Sequence, residues 1–121
     1  MKVIIAGPRD FEDYDALLKA VAACPFDITE VVSGHARGVD SMGERWSREV
    51  LKQEPKVFPA DWDRWGKSAG PIRNTQMAKY ADGLLALWHG VGKGTKNMIE
   101  QARLRRMPVF VYGILGYKGD E

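Results

Sequence analysis

Short, continuously apolar runs alternate along this chain with longer stretches whose apolar residues recur at helical spacing. The first run, about Lys2 to Ala6, reads as a strand covered on both faces. Gly7-Pro8-Arg9-Asp10-Phe11 turns the chain. A helix is expected from about Asp13 to Cys24, with Leu17, Leu18 and Val21 inward and Pro25 ending it. A second strand, about Thr29 to Ser33, leads through Gly34-His35-Ala36-Arg37-Gly38 into a helix that continues to about Lys52. Met42, Trp46 and Val50 form its inward stripe. Pro55 to Pro59 holds a short third strand, and Ala60 to Gly70 is the longest irregular stretch. Pro71 suits the first turn of a helix to about Ala81, with Ile72, Met77 and Tyr80 packing. Gly83 to Trp88 is the fourth strand. A helix from about Thr95 to Arg106 turns Met98, Ile99 and Ala102 inward, and Pro108 to Tyr112 is the last strand. Gly113 to Glu121, rich in glycine, reads as a loosely ordered tail.

Strand and helix alternate throughout, which predicts the α/β class: about five parallel strands with helices on both faces. The domain spans residues 1–112, and 113–121 is a C-terminal tail. In such a sheet the strand-to-helix turns lie along one edge, and ligands bind where strand order reverses. The turns after the first, second and fourth strands are all rich in glycine. A reversal between the first and fourth strands brings the three together.

Composition narrows the class. At 121 residues the chain is one domain, and 45% hydrophobic with 28% charged residues is ordinary for a soluble protein. A formal net charge of +2 is too small for a general polyanion binder. Cys24 is the single cysteine, so no internal disulfide forms; its apolar helical setting points to core packing. No apolar run approaches the roughly 18 residues of a membrane span, and the start reads as a strand rather than a signal peptide. A cytoplasmic protein with no membrane partner is expected. No histidine–acid cluster has metal spacing, no serine–histidine–acid set stands out, and no cofactor is called for.

Candidate chemistry lies in the glycine-rich turns, where amides freed at a helix N-terminus favour an anion. After the first strand, Gly7 and Arg9 face a phosphate and Asp10 a ribose hydroxyl or base; the plainer alternative is a solvated Arg9 and a turn-capping Asp10. Ser33, Gly34, Ala36, Arg37 and Gly38 surround a phosphate, while Asp40 holds the loop by bonding backbone amides. His35 is either exposed or a ligand contact. Gly92, Gly94 and Thr95 form a second cradle beside Lys93 and Lys96, with Thr95 as the helix cap. Its spacing is not that of a P-loop, so triphosphate hydrolysis has no support. Arg73 and Asn74 begin the third helix and complete the pocket. Trp62 and Trp65 either stack on a base or cover the core edge or a dimer contact; Trp46 and Trp88 belong to the core. Arg103, Arg105 and Arg106 complement a helix C-terminus.

A set of ordered motifs resembles the YspA-type, YpsA-related SLOG domains, and the resemblance spans nearly the whole chain, to about Val111. The motifs are Ala6-Gly7-Pro8-Arg9-Asp10-Phe11, Ser33-Gly34-x-Ala36-Arg37-Gly38-x-Asp40, Phe58-Pro59-Ala60-Asp61-Trp62, Ala69-Gly70-Pro71-Ile72-Arg73-Asn74-x-x-Met77, Ala81-Asp82 and Gly94-Thr95-Lys96-Asn97-Met98-Ile99. The resemblance implies a single Rossmann-like three-layer domain of bacterial or phage type that binds or senses a nucleotide-derived ligand, such as a nucleotide sugar or a signalling nucleotide. Two relatives imply alternatives. The Ser33-to-Asp40 motif is similar to that of DprA proteins, which bind single-stranded DNA; the modest net charge disfavours nucleic acid as the main partner. The run from Arg73 through Thr95 is similar to the Lonely Guy phosphoribohydrolases, which cleave the base from a nucleoside monophosphate. There Arg73 matches the arginine, but Met98 stands where those enzymes carry a glutamate. The nearest acid, Glu100, lies about 200° further round the helix. A homo-oligomer is expected, as is common in the superfamily.

Overall fold

The apolar runs pair into one parallel sheet whose three inner strands are buried from both sides. The computed structural model describes residues 1–114, 116 and 117. β1 (Lys2–Ala6), β2 (Glu30–Ser33), β3 (Lys56–Val57), β4 (Gly83–Trp88) and β5 (Val109–Gly113) lie in the order β3-β2-β1-β4-β5. All neighbours are parallel; β1 meets β4 from Val3 opposite Gly83 to Ala6 opposite Ala86. The helices are α1 (Tyr14–Ala23), α2 (Val39–Trp46), α3 (Trp62–Trp65), α4 (Ala69–Tyr80) and α5 (Lys93–Leu104).

Side chains alternate across a strand, so β1 feeds two cores. Val3 and Ile5 join Val31, Leu85 and Leu87 beneath Leu17 and Ala20 of α1 and Val39, Met42 and Trp46 of α2. Ile4 and Ala6 join Val32, Leu84 and Ala86 beneath Met77 and Ala78 of α4 and Met98, Ile99 and Ala102 of α5. The result is the Rossmann-like α/β domain, with three layers. The chain steps outward through β2 and β3 on one side of β1, then through β4 and β5 on the other. The reversal gathers the turns that leave β1, β2 and β4 at one edge.

The structure departs from the periodic reading at several places. Val50 does not continue the stripe of Met42 and Trp46; it is 54% exposed. Ser47–Leu51 forms a π-helical turn, ended by Lys52 in the left-handed region at φ 55. The wider turn inserts one residue into the register, so Leu51 packs on the core in Val50's place. Leu18 is likewise exposed, leaving Leu17, Ala20 and Val21 as the packed face of α1. Its cap is Asp13, whose Oδ1 accepts from Ala16 N at 3.2 Å.

The stretch expected to be irregular holds α3, capped by Asp61 Oδ1 accepting from Arg64 N at 3.1 Å, and a 3-10 turn at Gly66–Ser68. α4 begins at Ala69, two residues before Pro71, which still falls in its first turn. α5 begins at Lys93 with Gly92 as its cap residue at φ 105, so Thr95 does not cap it. At the other end, Gly113 belongs to β5, Ile114 is buried, and Tyr117 packs edge-on against Phe11 at 5.0 Å. Order therefore runs into the expected tail; residues 115 and 118–121 lie outside the described residues. Cys24 is partly buried against the α1-side core, and that burial pushes its thiol pKa up. Among the described residues no helix is long and apolar enough to cross a membrane.

The π turn makes a direct prediction for stability. Leu51→Ala should cost about 1–3 kcal/mol, and Val50→Ala less than about 0.5 kcal/mol, in urea denaturation. Equal costs would mean that the helix runs through this segment without the inserted residue.

Candidate functional site

The β1 and β2 turns meet through backbone rather than side chains. Gly38 sits at φ +70, and a Cβ there would lie 2.4 Å from Pro8 O. Val39 N donates to that same carbonyl at 3.2 Å. A side chain at Gly38 is therefore excluded twice, by conformation and by space. The glycine serves loop-to-loop packing here.

Arg73 then ties the β2 turn to α4. Its Nη1 donates to Gly34 O in a short hydrogen bond, and its Nε donates to Asn74 Oδ1 at 3.0 Å. A Cβ on Gly34 would come within 2.5 Å of Nη1, so glycine at this position makes room for the guanidinium. Burial lowers the Arg73 pKa, and the nearby Asp40 carboxylate opposes that shift. Asp40 also accepts from Ala36 N at 3.2 Å through Oδ2, the loop-holding geometry expected of it. Asn74 is buried, and its Nδ2 donates to Asn97 Oδ1 at 2.9 Å and to Gly94 O at 3.4 Å. One connected network thus runs from the β2 turn through α4 to the first turns of α5.

These elements enclose a cavity of about 410 Å³ at the sheet reversal. Of the residues expected at a ligand site, Gly7, Arg9, Ala36, Asp40, Arg73, Asn74, Gly94 and Thr95 line it. Lys67, Lys93 and Asn97 add polar groups, while Ala6, Met77 and Met98 form an apolar floor. Four of the lining side chains are cations and one, Asp40, is a carboxylate. The two loop tryptophans separate: Trp62 lines the cavity beside Gly70, whereas Trp65 lies outside it with the Arg64 guanidinium 4.6 Å from its ring. α5 presents its first turn to this space with no side-chain cap at Gly92.

Other expected residues lie elsewhere. Asp10 is exposed and accepts from the Tyr117 hydroxyl. Arg37 is exposed, and neither it nor Gly34, Gly38 or Gly92 lines the cavity. Ser33 is fully buried and donates to Glu44 Oε2 at 2.7 Å. His35 N donates to Ser33 Oγ at 3.0 Å, and His35 Nδ1 lies 2.9 Å from the same Glu44 oxygen. Glu44 also pairs with Arg48 at 3.7 Å. Glu44 does not stand out in the sequence because a glutamate on a helix ordinarily faces water. Gly43 beside it was the available signal: a Cβ there would touch Ile5 at 3.1 Å, so α2 sits close on the sheet and carries Glu44 inward. Glu100 is exposed and outside the cavity, and Met98 occupies the lining instead. Glu100 therefore does not share the cavity with Arg73, whose neighbouring carboxylate is Asp40.

Comparison with known proteins gives two findings. The profile of the family described as YAcAr, the YspA, cpYpsA-related SLOG family, matches residues 1–65. The chain is also similar to the Gene 61 protein of Mycobacterium phage D29, 34% identical over 121 residues, covering 93% of this chain and 96% of that protein. No solved structure matches.

The contact between Gly34 and Arg73 is open to a double-mutant cycle. Gly34→Ala should cost about 1–3 kcal/mol in the native chain, through loss of a bond to a partly buried cation. In an Arg73→Ala background the same change should cost at least about 1 kcal/mol less. An unchanged cost, read from denaturation midpoints, would place the steric conflict somewhere other than Arg73.

Proposed function

The chain belongs to the YspA, cpYpsA-related SLOG family, and from that premise and the cavity together we propose that it binds a nucleotide or nucleotide-derived small molecule. The observation that carries the reading is the cavity at the strand-order reversal, lined by Arg9, Lys67 and Lys93 together with Gly94 and Thr95 of the first turn of α5. A phosphate beside Lys93 and Gly94 would meet the positive end of a helix dipole and exposed cations at once. The volume of about 410 Å³ falls within the range of small-molecule sites, roughly 300–1,000 Å³. Met77, Met98 and Ala6 offer a ring an apolar bed, and Trp62 offers an aromatic face at the rim.

Binding without turnover is the better-supported form of this reading. Among the described residues lining the cavity, Asp40 is the carboxylate, and its Oδ2 is engaged by Ala36 N. Arg73 is likewise held by Gly34 and Asn74. Both read as wall-forming groups, with Arg9, Lys67 and Lys93 as the ligand-facing cations.

Calorimetry across a panel of nucleoside phosphates and nucleotide sugars tests the reading. At least one should bind, and Arg9→Ala and Lys93→Ala should each weaken it on the order of tenfold and flatten its salt dependence. A panel in which no phosphorylated compound binds, or two variants that bind like the native chain, would reject it.

A further inference from the structure

Arginine carries only hydrogen-bond donors, and that fact orients two amides in succession. The Asn74 atom 3.0 Å from Arg73 Nε must be an oxygen. The other end of Asn74 is therefore its NH2 group. Gly94 O, an acceptor, lies 3.4 Å from that end and gives the same assignment independently. The Asn74 NH2 group donates to Asn97 at 2.9 Å, so the Asn97 atom it meets is Oδ1. Asn97 Oδ1 is thereby used as an acceptor, and its Nδ2 remains a donor. Asn97 lines the cavity, and among the described residues no protein acceptor bonds to Nδ2.

We propose that Asn97 Nδ2 is the specificity-determining donor of the pocket, reading a hydrogen-bond acceptor on the bound nucleotide and rejecting a donor in the same place. The proposal rests on the nucleotide reading above and adds which chemistry the ligand presents to α5: a ring carbonyl or a phosphate oxygen. Discrimination follows from the cost of opposing two donors in a confined site, where neither finds a partner. Arg73 and Asn74 are positioning residues for this donor. They act through the amide chain, and a free asparagine would turn its oxygen to a donor ligand and lose the preference.

Inosine monophosphate, adenosine monophosphate and orthophosphate separate the two sources of the acceptor. The two nucleotides share ribose and phosphate but place an oxygen or an amino group on the same ring carbon. Asn97→Asp keeps the oxygen that accepts from Asn74 and removes the donor, so its Tm should stay within about 4 °C of the native value. If a ring carbonyl is read, the native chain binds inosine monophosphate on the order of tenfold tighter than adenosine monophosphate, Asn97→Asp inverts the order, and Asn74→Ala, which frees the Asn97 amide, erases it. If a phosphate oxygen is read, Asn97→Asp and Asn97→Ala weaken all three probes alike, on the order of tenfold. Either pattern supports the proposal. A native chain that binds these probes, with Asn97→Asp and Asn97→Ala binding them within about twofold of it, overturns the proposal and leaves the nucleotide reading standing. A native chain that binds none of the three overturns the proposal too, by removing the ligand class it specifies.

Discussion

The partly buried guanidinium of Arg73 is the constraint on which the site depends. A cation removed from water is costly unless its donors and its charge are both met. Here Gly34 O and Asn74 Oδ1 take the donors, and the Asp40 carboxylate lies near enough to raise the pKa that burial lowers. Each of these partners is then committed in turn. Gly34 has no room for a side chain, Asp40 holds Ala36 N, and Asn74 reaches across to Gly94 and Asn97. The geometry at the start of α5 is thus tied to a bond made on β2's turn, through α4.

That network changes the meaning of the turn after β2. Taken as residues alone, Ser33 to Asp40 is an anion cradle. In the structure many of its polar groups are spent inside the protein: Ser33 Oγ on Glu44, His35 N on Ser33 Oγ, Gly34 O on Arg73 and Ala36 N on Asp40. It serves as a rigid wall. The turn after β4 differs, because Gly92 brings no side chain to cap α5 and Lys93 begins the helix at the cavity. On the proposed reading, an anion meets the third turn rather than the second.

The sheet and its reversal were legible because apolar runs and glycine-rich turns are local signals that tertiary packing reinforced. Register inside a helix was less so. Nothing about Ser47 to Leu51 distinguishes a π turn from an α turn by periodicity, so Val50 and Leu51 exchanged places. Thr95 is a good capping residue by type, yet Gly92 at φ 105 starts the helix earlier, and Thr95 is buried in its first turn. Asp40 and Thr95 could be placed at the cavity from the turns they follow, and Arg73 and Asn74 from the start of the third predicted helix. Asn97 could not: its importance lies in a hydrogen bond to a residue 23 positions away. Glu44 was hidden for the same kind of reason, since its burial follows from how closely Gly43 lets α2 approach Ile5.

A crystal structure with a bound nucleoside monophosphate tests the central claim most directly. Phosphate density should lie against the first turn of α5, contacted by Lys93 and Arg9, with Arg73 still bonded to Gly34 O. Phosphate held instead by Arg37 and the amides of residues 34–38, with the α5 end empty, would contradict it.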